Sequence, residues 1–94
     1  MGLLNDTEIN NKLSGLNGWE RAGNEIVKSF KFANFIASIG FVNKIAILSE
    51  KADHHPDILI QYSNVKITLS THSEGGLTEK DFNLAGEIEG AFNS

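Results

Sequence analysis

A single proline, Pro56, fixes where one regular element must end and another begin. Proline has no N–H and disfavours helix at the residue before it, so His55 is held extended and any preceding helix stops by His54. A long apolar stretch lies upstream of that point and strand-like alternation lies downstream. The chain therefore changes its hydrophobic period from about 3.6 to about 2 at this corner. The same corner, Glu50-Lys51-Ala52-Asp53-His54-His55-Pro56, carries two of the three histidines and two carboxylates.

The flanking elements follow from local signals. Asn5 is a helix cap with Glu8 three residues on, and Ile9, Leu13 and Leu16 share one helical face. Asn17-Gly18 breaks that helix, and Trp19 to Ala22 and Glu25 to Phe32 read as two strands around a Gly23-Asn24 turn. In the second strand Ile26, Phe30 and Phe32 share a face on which Lys28 is discordant. Asn34 caps a helix carrying Phe35, Ile39, Val42, Ala46 and Ser49 at steps of three and four. About sixteen residues at ~1.5 Å rise give a rod of roughly 24 Å that ends at the histidine corner.

Beyond Pro56, Asp57 to Tyr62 and Val65 to Thr71 form a second hairpin around Ser63-Asn64, with Val65, Ile67 and Leu69 alternating against Lys66, Thr68 and Ser70. His72 closes it, Ser73 to Gly76 is a permissive loop, and Thr78 with Asp81 forms a capping box ahead of Phe82, Ala85, Ile88 and Phe92. The predicted architecture is α+β: one four-stranded antiparallel sheet with three helices packed on one face, in the order α-β-β-α-β-β-α, over a single domain of residues 1–94.

Composition narrows the function. A formal charge of −4 lacks the clustered Lys/Arg footprint of phosphate-backbone binding, so nucleic acid is not an expected partner. No cysteine is present, which excludes disulfides and thiolate metal sites. There is neither a secretory signal nor an apolar run of membrane-spanning length, and the expected setting is cytoplasmic and free of membrane.

The topology gathers the polar residues. His54 and His55 precede the third strand and His72 follows the fourth, so hairpin pairing brings all three histidines to one end. Glu50, Asp53 and Asp81 approach the same corner, where a carboxylate beside an imidazole fixes its tautomer. Ser70, Thr71 and the backbone of Ser73 to Gly76 add groups suited to a polar heterocycle. Two chemistries fit such a cluster. A metal site needs imidazoles aimed at one point, whereas adjacent His54 and His55 diverge when extended and the helical His spacing is missing. Acid/base work on a bound organic substrate tolerates that divergence. Nucleophilic catalysis lacks both a Cys and a Gly-flanked Ser motif.

At these residues the chain resembles the pterin-4a-carbinolamine dehydratases, also known as dimerization cofactors of a hepatocyte homeodomain transcription factor. The motif is Glu50-Lys51, His54-His55-Pro56, Tyr62, His72 and Asp81. The likeness extends through Trp19, Phe30, Phe32, Phe35, Gly40, the segment Ile67 to His72 and Gly76-Leu77-Thr78. The resemblance implies a cofactor-free, metal-free dehydration of a 4a-hydroxytetrahydropterin to the quinonoid dihydropterin. It implies His54 and His72 as the acid/base pair with Glu50 and Asp81 orienting. It further implies substrate contacts from Asp53, His54, His55, Pro56, Ser70, Thr71, His72, Ser73 and Glu74.

The resemblance also implies a homodimer or homotetramer and a functional link to an aromatic amino acid hydroxylase in tetrahydrobiopterin recycling. The alternative is a non-enzymatic interaction module, a coactivator or assembly factor acting through its helix surface. One departure stands out: many members carry Trp two residues after the motif's proline, where this chain has Ile58. Ile58 either removes a stacking surface worth ~1 kcal/mol or is a strand core residue.

Overall fold

The computed structural model describes residues 2–94. Its order is α1 (Asp6–Leu13), β1 (Glu20–Ala22), β2 (Glu25–Lys31), α2 (Phe35–Ala52), β3 (Asp57–Gln61), β4 (Asn64–Leu69) and α3 (Glu79–Phe92), with a short 3-10 turn at His72–Glu74. The strands form one antiparallel sheet in the order β1-β2-β4-β3, so the two hairpins meet along β2 and β4. The α-β-β-α-β-β-α layout predicted from the sequence is the observed one, with the 3-10 turn as an addition.

Register sorts the side chains into two faces. Ile26 pairs with Leu69, Lys28 with Ile67, Phe30 with Val65, Ile58 with Ile67 and Ile60 with Val65. Residues paired across an antiparallel ladder share a face. That face, together with Ile9, Phe41, Ile45, Leu77, Phe82, Leu84, Ala85 and Ile88, makes the core. Phe30 sits at its aromatic centre, 4.9 Å from the rings of both Phe41 and Phe92 and edge-on to Trp19 at 6.1 Å. The discordant Lys28 is resolved at the rim of this face. Its ammonium pairs with Glu89 on α3 and donates to the Asn17 carbonyl, while Trp19 Nε1 donates to the same Glu89 carboxylate at 2.8 Å.

Two details depart from the sequence reading. The α2 face is rotated: Ser38, Phe41, Ile45 and Ser49 are buried, whereas Phe35 and Ala46 are exposed. This helix is apolar nearly all round, so spacing alone admits more than one face. The two serines are tolerated inside because each hydroxyl donates to the carbonyl four residues back, Ser38 to Asn34 and Ser49 to Ile45. The second hairpin turns at Tyr62-Ser63 rather than Ser63-Asn64, because Asn64 is taken up in pairing with both Gln61 and Lys31. Tyr62 accepts a left-handed φ of 55° to make that turn. The strands are correspondingly shorter than predicted, β1 beginning at Glu20 and β4 ending at Leu69.

Candidate active site

The site begins with how α2 ends. Asp53 adopts a left-handed conformation, φ 50° and ψ 45°, which Asp tolerates better than most residues. Its N–H bonds to the Glu50 carbonyl and the His54 N–H reaches the Ser49 carbonyl at 3.1 Å. This is the Schellman pattern of helix termination, and it reverses the chain within two residues. His54 thereby turns inward while His55 stays outside. The proline thus does what was expected of it, since α2 stops before His54.

At the far end of β4, Thr71 bridges to Gly76 and the 3-10 turn of His72–Glu74 closes between them. Gly75 holds φ 77° at its end, a left-handed position that suits glycine. Thr78 then caps α3, and its capping box uses Asp81, whose Oδ2 accepts the Thr78 N–H at 2.9 Å. Asp81 has a second duty. Its Oδ1 lies 2.7 Å from His54 Nε2, and its Oδ2 also accepts the Thr71 hydroxyl at 2.8 Å.

With Asp81 ionised, those contacts assign the protons. An ionised carboxylate only accepts, so His54 carries its hydrogen on Nε2. Thr71 has a single hydroxyl proton and gives it to Asp81, so the 2.8 Å contact between the Thr71 and Thr78 hydroxyls runs from Thr78 to Thr71. Thr78 Oγ1 in turn accepts the Lys80 N–H at 3.2 Å. Every group in this buried chain is satisfied, and among the described residues no buried side-chain polar atom lacks a partner. In this tautomer the uncharged ring presents the lone pair of Nδ1 on its other side.

His54, His55, His72, Asp53, Ser70, Thr71, Ser73 and Lys80 line one open hollow of about 280 Å³. The structure therefore brings the three histidines together. Not every candidate residue reaches that space. Asp81 is fully buried behind His54. Glu50 stands behind His55, its Oε2 2.5 Å from His55 Nε2, with both side chains largely in solvent. Pro56 and Glu74 do not line the hollow. Thr71 lines it, but its hydroxyl is committed to Asp81.

Lys80 was not expected in the wall. Its position beside Asp81 in the first turn of α3 is the sequence signal that points to it. Ile58 sits on the inward face of β3, half-buried against the core and opposite Ile67, so it is a packing residue. Among the described residues, no group of three His, Asp or Glu side chains is arranged to hold a metal ion. His54 and His55 are each engaged by a different carboxylate.

Comparison with known proteins supplies the family. A family model described as pterin 4 alpha carbinolamine dehydratase matches residues 2–91. The chain belongs to this family. A protein of Roseiflexus castenholzii, provisionally named pterin-4-alpha-carbinolamine dehydratase, is 53% identical over 93% of this chain and 94% of its own length. A protein of the same provisional name from Sulfolobus acidocaldarius is 48% identical over 90% and 93%. Among solved structures, a transcriptional coactivator/pterin dehydratase from Brucella melitensis superposes with a TM-score of 0.90 at 39% identity, covering 94% of this chain and 96% of that one. A pterin dehydratase-like protein identified as a RuBisCO assembly factor in the alpha-carboxysome is more distant, with a TM-score of 0.72 at 26% identity over 83% and 93% of the two chains. Dehydratase, coactivator and assembly-factor roles thus all occur in the names of its relatives.

Proposed function

We propose that this protein dehydrates a 4a-hydroxytetrahydropterin to the quinonoid dihydropterin and water, without metal or cofactor, in support of tetrahydrobiopterin recycling. The observation that carries the reading is the 2.7 Å bond from His54 Nε2 to buried Asp81, which leaves Nδ1 as a base in a hollow shared with His72. In this reading His54 Nδ1 takes the N5 proton. The electron pair of that N–H bond forms the N5–C4a double bond as the C4a–O bond breaks. Exposed His72 supplies the proton that lets the hydroxyl depart as water. The two imidazoles end with their protons exchanged and reset through solvent, which His72 reaches directly. A positioned acid or base contributes about 10²- to 10⁴-fold each.

His55, Ser70, Ser73 and Asp53 hold the heterocycle, with Glu50 orienting His55, and Pro56 and Glu74 complete the cradle from outside the wall. The test is carbinolamine breakdown followed in a stopped assay. His72→Ala lies at an exposed position and is expected to lower kcat by about 10²-fold or more with an unchanged melting temperature. Wild-type turnover in that variant defeats the assignment.

A second reading has its own observation. The outer face of α2 exposes Phe35, Ile36 and Ile47, the last two 82% and 69% accessible. Apolar exposure of this kind marks interaction surfaces, and it supports self-association as a homodimer or homotetramer, or a coactivator or assembly role, through that helix. Sedimentation of wild type against Ile36→Asp tests it. An unchanged mass in both, with no partner lost, removes this reading.

A further inference from the structure

The histidine hollow does not end at His72. A second polar hollow of about 300 Å³, lined by Ala22, Asn24, Glu25, Ser70, His72 and Gly75, adjoins it through Ser70 and His72. The register explains why they meet. Ala22 pairs with Glu25, Ile26 with Leu69 and Asp57 with Thr68, so continuing the registers brings Glu25 beside Ser70 one step past the β2–β4 ladder and Ser70 beside His55 two steps past the β3–β4 ladder. Ala22 and Glu25 thus stand in line with Ser70, just past the end of β4, and His55, just ahead of β3, on the outward side of the sheet. The two hollows are halves of a single groove along that line, and their combined space falls within the range of small-molecule sites.

Apart from the shared Ser70 and His72, nothing that lines the second half serves the dehydration. The Asn24 amide and the Glu25 carboxylate stand on the tip of the first hairpin, and Glu25 takes part in none of the ion pairs among the described residues. The chemistry of the proposed substrate says what would lie there. In a tetrahydropterin N5 is bonded to both C4a and C6, so a ring whose C4a–N5 edge meets His54 and His72 carries its C6 substituent immediately beyond that edge. His72 is the residue common to both hollows.

Building on the proposed activity, we infer that Asn24 and Glu25 form a substituent subsite, taking the C6 group of the pterin and selecting short, uncharged, hydrogen-bonding substituents against anionic ones. The Glu25 carboxylate accepts from hydroxyls and repels a carboxylate or phosphate on the substituent. The Asn24 amide both donates and accepts.

Two measurements test this. The first is the ratio of dissociation constants for 6-hydroxymethylpterin and 6-carboxypterin, read by fluorescence quenching. The second is the ratio of kcat/KM for carbinolamines with neutral and anionic C6 groups. Wild type should favour the neutral member in both. Glu25→Gln should narrow each preference by about two- to fivefold, the scale of an exposed charge interaction, and Glu25→Lys should narrow it further or reverse it. Ratios that are the same in wild type and both variants overturn the subsite. Turnover of the neutral carbinolamine with ratios blind to residue 25 overturns only this inference. Charge-dependent pterin binding without turnover upholds the subsite and overturns the dehydratase reading, and absence of any pterin binding overturns both.

Discussion

Two histidines adjacent in sequence each pair with a carboxylate, and the two pairs behave as opposites. His54 with Asp81 is 10% and 0% exposed at the side chains, whereas His55 with Glu50 is 58% and 77% exposed. Their contact distances, 2.7 and 2.5 Å, are almost the same. Distance therefore does not distinguish them; surroundings do. In solvent an ion pair is screened and its geometry is one of many, worth about 0–1 kcal/mol. Inside, a carboxylate stripped of water must have its lone pairs filled, and leaving it short of partners costs several kcal/mol. Asp81 meets that demand with His54, the Thr71 hydroxyl and the Thr78 N–H. The buried pair fixes one tautomer of one ring, and the exposed pair only biases the orientation of the other.

The largest effect expected from this contrast is that of Asp81→Asn. The amide oxygen can keep the Thr71 and Thr78 donors, which leaves its NH₂ facing His54 Nε2. Nε2 then becomes an acceptor and the imidazole proton moves to Nδ1, removing the base from the hollow. The expected outcome is a fall in kcat of about 10²- to 10⁴-fold, with circular dichroism close to wild type and ¹⁵N shifts of His54 reporting the exchanged tautomer. Retained kcat together with the exchanged tautomer would break the link between the buried pair and catalysis.

Next in size is Thr71→Val, which keeps the shape of the side chain and deletes one hydroxyl. Asp81 Oδ2 loses a donor and the Thr78 hydroxyl loses its acceptor, both in a buried setting. Leaving such groups unsatisfied costs about 1–3 kcal/mol. In a domain of 94 residues that corresponds to about 4–8 °C in Tm for each kcal/mol. Urea and thermal unfolding measure it. A stability equal to wild type would mean that water replaces the hydroxyl, and the buried network would then be less closed than its distances indicate.

The sequence revealed this contrast only halfway. The capping box of Thr78 and Asp81 was legible because it is local, and so was the stop of α2 ahead of Pro56. The gathering of His54, His55 and His72 was legible because hairpin pairing places the start of one strand beside the end of its partner. Which carboxylate meets which histidine was not legible. It depends on the two-residue reversal at Asp53, where a left-handed backbone sends adjacent side chains to opposite environments. The buried face of α2 was misassigned for a related reason, since a helix apolar on most sides leaves its orientation to its neighbours. Asn24 and Glu25 went unread because they enter the groove from a hairpin distant in sequence, whereas Lys80 was passed over although it stands next to Asp81.

The smallest effect expected is that of Glu50→Gln, and it is the one that tests whether the two pairs differ in kind. The substitution removes the charge beside His55 and preserves the size of the side chain. If solvent screens this pair, stability should change by less than about 1 kcal/mol, and kcat/KM by less than about fivefold, the rate equivalent of that energy. The residual effect should shrink further as salt is raised from 0.01 to 1 M, because the Debye length falls from about 30 to 3 Å over that range. The Asp81→Asn effect should stay constant across the same series, since no ions enter the space behind His54. A Glu50→Gln loss as large and as salt-independent as that of Asp81→Asn would mean that His55 is covered when substrate binds. The exposed pair would then join the buried one in the chemistry, and both would be read as positioned by burial.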